Sequence, residues 1–121
     1  MHLDPAEAVS QVDRFWRTRT DEPVHVVVGG LRYAALYSHY SAGHPPVCEA
    51  DDEIMIDLYR ERIRRHGALL IDSNARDFAD FLKRVNVKVQ FKKCRIKCRS
   101  LLGKPDTKGF VVGYLPPGCD I

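Results

Sequence analysis

The fold of this chain turns on VHVVVGGLRYAALYSHY, residues 24–40. Its first five residues form a β-branched run, short enough for a buried strand. The pair Gly29-Gly30 then allows two continuations. Both glycines accept positive φ, so they can close a two-residue hairpin, with residues 31–37 as the return strand. Alternatively they open a helix, because Tyr33, Leu36, Tyr37 and Tyr40 recur at helical spacing. Period alone does not separate the two in so short a run. The hairpin is the expectation.

The flanking segments read more simply. On the N-terminal side, Asp4 is a helix N-cap, with Pro5 at the first helical position and Glu7 three residues after the cap. Ala8, Val9, Val12, Phe15 and Trp16 form the apolar stripe of that helix. On the C-terminal side, SHYSAGHPPVCEA reads as a loop broken by Gly43, Pro45 and Pro46. A helix follows in DDEIMIDLYRERIRRH. Acids crowd its first turn, Arg64, Arg65 and His66 crowd its last, and Gly67 stops it, as the helix dipole favours. ALLID, residues 68–72, is a buried strand. SNARDFADFLKRV is a helix capped by Ser73 or Asn74, with Ala75, Phe78, Leu82 and Val85 on its apolar face. GKPDTKG reads as a loop, FVVGYL as the last strand and PPGCDI as a tail. The order α-β-β-α-β-α-β-β predicts an α+β (mixed α/β) fold. The expectation is one domain over residues 1–121, with about five strands in a mixed sheet, three helices and a parallel crossover in the middle.

Composition agrees with a globular chain. Of 121 residues, 45% are hydrophobic and 29% charged. No apolar run reaches the roughly 20 residues of a membrane span, and the N-terminal stretch lacks a signal-like apolar region. The expected location is cytoplasmic, or nuclear in a eukaryote, with no membrane partner. Cys48, Cys94, Cys98 and Cys119 are therefore expected as thiols or metal ligands rather than disulfides. Cys119, in the tail, is expected to be the reactive thiol.

The net charge of +3 hides an asymmetry. Residues 81–105 hold nine bases and no acid, whereas the remainder holds ten bases and sixteen acids. Within VKVQFKKCRIKCRSLLGK, residues 87–104, apolar and charged residues alternate. The phase slips by one at Lys92-Lys93, from Val87, Val89 and Phe91 to Cys94, Ile96 and Cys98. A β-bulge there would keep one apolar face, and a tight turn is the rival explanation. Cations then recur every two residues, about 6.6 Å apart, commensurate with phosphates along a nucleic-acid strand. Lys88, Lys92, Lys93, Arg95, Lys97, Arg99 and Lys104 are the expected nucleic-acid-binding set. No aromatic residue lies on the basic face, which argues against a base-stacking module. An edge strand whose lysines only deter aggregation is the plainer alternative.

Two other stretches could carry chemistry. YSHYSAGHPPVCEAD brings His39, His44, Cys48 and Asp51 into one loop, ligand types that suit zinc. Over some fifteen residues it resembles the metal loop of JAB/MPN isopeptidases, with Tyr37 in place of one histidine and Cys48 in place of the serine. That resemblance implies a metal-dependent hydrolase with His39 and Asp51 as ligands. LLIDSN, before a helix, places Asp72, Ser73 and Asn74 at a strand end, where α/β sheets bind ligands. A helix cap explains the same residues.

The leading expectation is a small intracellular binding module for RNA or DNA, with low sequence selectivity and no cofactor, zinc being the one candidate. A protein-interaction or inhibitor module comes second, its partner an acidic protein surface or another copy of the chain. A hydrolase using the His39–Asp52 loop comes third.

Overall fold

Local signals build the first and third helices as expected. In the computed structural model, which describes residues 2–99 and 102–121 apart from the side chains of residues 2, 3 and 97–99, helix α1 spans Pro5–Arg17. The Asp4 carboxylate accepts from Ala6 N at 3.1 Å and Glu7 N at 3.2 Å. A longer helix, named α3 below, spans Glu53–His66. Asp52 caps it, accepting from Ile54 N at 3.0 Å and Met55 N at 3.1 Å. Gly67, at φ 71°, ends it and donates to Ile63 O at 2.8 Å.

Residues 31–40 are not a return strand. Strand β2 is Val27–Gly29, and helix α2 follows as Leu31–Tyr40 with Gly30 at its N-cap. The hairpin expectation fails here for a physical reason. Gly30 has no side chain to cap the helix, and the first turn carries no acid. The cap comes from Asp72, forty-two residues away, whose Oδ2 accepts from Gly30 N at 2.8 Å. Its Oδ1 accepts from Ser73 N at 2.7 Å. Both glycines are needed for closeness rather than for a turn. A Cβ on Gly29 would lie 1.8 Å from Ile71 O, and one on Gly30 would lie 2.9 Å from the Asp72 carboxylate.

Six strands make one mixed sheet in the order β1-β5-β6-β4-β2-β3. Strand β1 is His2–Leu3 and β3 is Val47–Cys48, two residues each. Strand β4 is Ala68–Asp72, β5 is Lys92–Arg99 and β6 is Pro105–Leu115. Strands β2, β3 and β4 are parallel, and β6 runs antiparallel between β4 and β5. The parallel crossover is present. Part of the stretch expected as a loop, from Pro105 to Gly109, is strand.

Helices cover both faces. Val12, Phe15 and Trp16 of α1 and Tyr33, Ala34 and Tyr37 of α2 pack on Val27, Leu69, Ile71, Ile96, Phe110 and Val112. On the other face, Ile56 and Ile63 of α3 join Phe78, Phe81 and Val85 over Val26, Val28, Leu70, Val111 and Leu115. Those last helical residues come from a 3-10 turn, Ala75–Phe78, running into helix α4, Ala79–Val85. Phe81, not Ala75, completes its buried face, and Ala75 is exposed.

The phase slip at Lys92-Lys93 is a change of face rather than a bulge. Asn86, at φ 54°, ends α4, and residues 87–91 lie outside the ladder. Val87, Val89 and Phe91 pack into the α3–α4 core, whereas Cys94 and Ile96 belong to the α1–α2 core. Gly113 makes room for this crossing: a Cβ there would lie 2.8 Å from Val89 Cγ1 and 2.9 Å from Phe91 Cε1.

Candidate nucleic-acid interface

Strand β6 pairs with β4 only through Val111–Leu115, but with β5 from Pro105 to Val112. About six residues of each strand, some 20 Å of hairpin at the usual rise, thus run beyond β4. Helix α1 covers one side of this arm. Gln11 Nε2 donates to Arg95 O at 2.7 Å, and Cys94, Ile96 and Phe110 are buried against the helix. Among the described residues no part of β5 enters the opposite core.

The register sorts the cations. Lys93 lies opposite Val111, Arg95 opposite Gly109, Lys97 opposite Thr107 and Arg99 opposite Pro105. These odd positions share the face away from α1. Lys93 and Arg95 are exposed there, while the Lys97 and Arg99 side chains lie outside the described residues. Lys92 is exposed on the α1 side, in a cleft with Arg14, Glu7 and Gln11. Lys88 stands exposed in the 87–91 crossing, and Lys104 is exposed just before β6. The expected set therefore divides between two faces and two connections.

Among the described residues, no ion pair holds Lys88, Lys92, Lys93 or Arg95. Several helical arginines differ. Arg60 pairs with Asp57, Arg64 with Glu61, and Arg84 with Glu53 at 3.3 Å and Asp57 at 3.5 Å. Asp57, Glu61 and Glu53 of α3 thus face arginines on α3 and α4, whereas Lys93 and Arg95 of the arm are exposed.

The 37–51 stretch is split among four settings. His39 lies in the last turn of α2, its ring edge-on to Tyr40 at 4.7 Å. His44 is exposed, with Nδ1 3.1 Å from Ser38 O. Cys48 is fully buried in β3, and Asp51 is exposed in the turn before α3. Burial, then the nearby Asp52 and Glu49 charges, push the Cys48 thiol up to about 11. Among the described residues these side chains make no cluster of three ligand atoms. At the other stretch, both Asp72 oxygens are taken by Gly30 N and Ser73 N. That carboxylate occupies the α2 N-terminus where an anion would otherwise bind.

Cys119 is buried, not a reactive tail thiol; burial raises its pKa, as it does for Cys94, where Lys92 pulls the other way. Tyr37 is also buried. Its hydroxyl donates to Asp13 Oδ1 at 2.6 Å, and burial followed by that bond holds the phenol protonated.

One constellation escaped the sequence. Glu22, His25 and His66 converge at the other end of the parallel strands, their ligand atoms all within 4.8 Å of one another. The signal was present: VHVVV and RHGALLID each place a histidine just before a buried run. It acquires meaning only when the two runs pair in parallel.

The chain matches no family model, no curated protein and no solved structure. Among the described residues no helix is long and apolar enough to cross a membrane.

Proposed function

We propose that the protein is a binding module for a nucleic-acid backbone, engaged by the β5–β6 arm. The observation behind this reading is the uncovered face on which Lys93 and Arg95 are exposed and, among the described residues, in no ion pair. Strand geometry sets these cations about 7 Å apart. Lys97 and Arg99 continue the same positions along the strand, and Lys88 and Lys104 flank it. Phosphate contacts of this kind give affinity without sequence information. Selectivity among sequences is accordingly low, and binding weakens steeply with salt.

The test is fluorescence anisotropy with labelled single- and double-stranded RNA and DNA across a salt series. Wild type is compared with Lys93→Glu/Arg95→Glu. Removing two phosphate contacts should reduce the slope of log affinity against log salt by about two on duplex DNA and lower affinity at every sequence tested. Equal slopes for the two proteins would overturn the reading.

A protein-interaction module is the second reading. It is supported by Ile54 and Leu58, one turn apart on α3, which are 82% and 69% exposed. Self-association that survives the arm variant and fails with Ile54→Glu, measured by sedimentation, would favour it.

A further inference from the structure

We propose that Glu22, His25 and His66 form a binding site for a divalent transition-metal ion of the zinc type.

The fold builds this site from its parallel core. Strands β2 and β4 are neighbours, with Val27 opposite Leu69, and Leu69 N donates to Val26 O at 3.1 Å. His25 enters β2 from two residues before it. His66 ends α3 two residues before β4, and the turn at Gly67 brings its ring alongside. The two imidazoles stack with centroids 3.8 Å apart and planes 21° apart. Glu22 is held from both sides of its backbone. Its N–H donates to Thr20 Oγ1 at 3.1 Å, and its carbonyl accepts from Trp16 Nε1 at 2.6 Å. Its carboxylate is then 3.7 Å from His25 Nε2.

His25 Nε2 is the informative atom. It is buried and, among the described residues, has no hydrogen-bond partner. The Glu22 oxygen is too far to supply one. Buried ring nitrogens are normally satisfied, and one left open beside a second imidazole and a carboxylate has the surroundings of a ligand. A tetrahedral zinc ion with bonds of about 2.0–2.1 Å holds its ligand atoms roughly 3.3 Å apart. The three atoms here need to close by about 1.5 Å at most, and one imidazole must turn out of the stack so that both in-plane lone pairs meet on the ion. Glu22 can supply much of that, since its side chain is 62% exposed.

The ligand chemistry selects the ion. Two imidazoles and one carboxylate suit zinc, cobalt, nickel or copper, whereas magnesium and calcium take oxygen ligands. The adjoining cleft also holds Glu61, Arg62 and Arg65. Glu61 is paired with Arg64. The two arginines disfavour an ion held by charge alone, so the site depends on coordinate bonds. Three protein ligands leave the fourth position to water, the pattern of an open zinc site.

The full chain, stripped with chelator and free of nucleic acid, is titrated with cobalt(II), followed by absorption, and with zinc by calorimetry. One equivalent should bind, give the visible spectrum of a tetrahedral cobalt centre and raise the melting temperature. Magnesium should do neither. Glu22→Ala and His66→Ala should each weaken zinc binding by about tenfold or more. Glu22 is exposed, so its variant keeps the test valid if a histidine variant folds poorly. Absence of binding at millimolar zinc overturns the proposal. So does unchanged affinity in Glu22→Ala and His66→Ala. Arm variants have no place in this assay, so its outcome is independent of the nucleic-acid reading.

Discussion

Replacing Asp72 should cost the protein more stability than its half-exposed position suggests. Its carboxylate takes two backbone N–H bonds at 2.8 and 2.7 Å, one from the N-cap of α2 and one from the residue after β4. Hydrogen bonds to a charged group contribute about 1.5–3 kcal/mol each. Partial burial puts these at the lower end, about 1.5 kcal/mol apiece. A carboxylate at a helix N-terminus adds some tenths more, and α2 has no other acid in its first turn. Asp72→Ala should therefore lose about 3 kcal/mol. For a chain of 121 residues that corresponds to roughly 10 °C in melting temperature. Asp72→Asn keeps one acceptor oxygen and should lose about half as much. The assay is urea and thermal unfolding followed by circular dichroism, with the urea slope checked for constancy. Nucleic-acid binding by the folded variant should match wild type. A loss below about 1 kcal/mol in Asp72→Ala would refute the external cap. Intact stability with lost binding would make Asp72 a ligand-site residue instead.

Two further perturbations test the packing. Gly113→Ala should drive Val89 and Phe91 off β6 and cost about 1–3 kcal/mol, as overpacking does. Val89→Ala should restore part of the loss, and a change under about 0.5 kcal/mol would contradict the crossing. The Cys48 thiol, raised from 9.0 to about 11, favours the protonated folded state. Its contribution, about 3 kcal/mol, is complete below pH 9 and is lost as pH rises through 11. The stability gap between wild type and Cys48→Ala should shrink over that window, and a gap independent of pH would count against burial as the cause.

How much of this could be read in advance depends on where each signal sits along the chain. Helices α1 and α3 carry their own caps in Asp4 and Asp52, within three residues of the amides they satisfy. Such helices are legible locally. Strand β4 is legible because its buried run is bounded by Gly67 and by the turn after Asp72. The basic character of β5 is equally plain, since alternation survives in the sequence whatever the strand pairs with.

Other features needed contacts between distant residues. Helix α2 is capped by Asp72 across forty-two residues, so the sequence around Gly29-Gly30 looks like a turn. The phase slip before β5 looked like a bulge because period cannot say which of two helical layers a side chain meets. The cations of residues 88–104 formed one set on paper, and the register of β5 against β6 divided Lys92 from Lys93 and Arg95. The Glu22–His25–His66 cluster depends on parallel pairing of β2 with β4, which sets two histidines forty-one positions apart ring on ring. Local capping and alternation act within a few residues and are written in the chain. Caps, faces and ligand clusters assembled across the sheet follow from which strands become neighbours, a choice made by burial of the whole core.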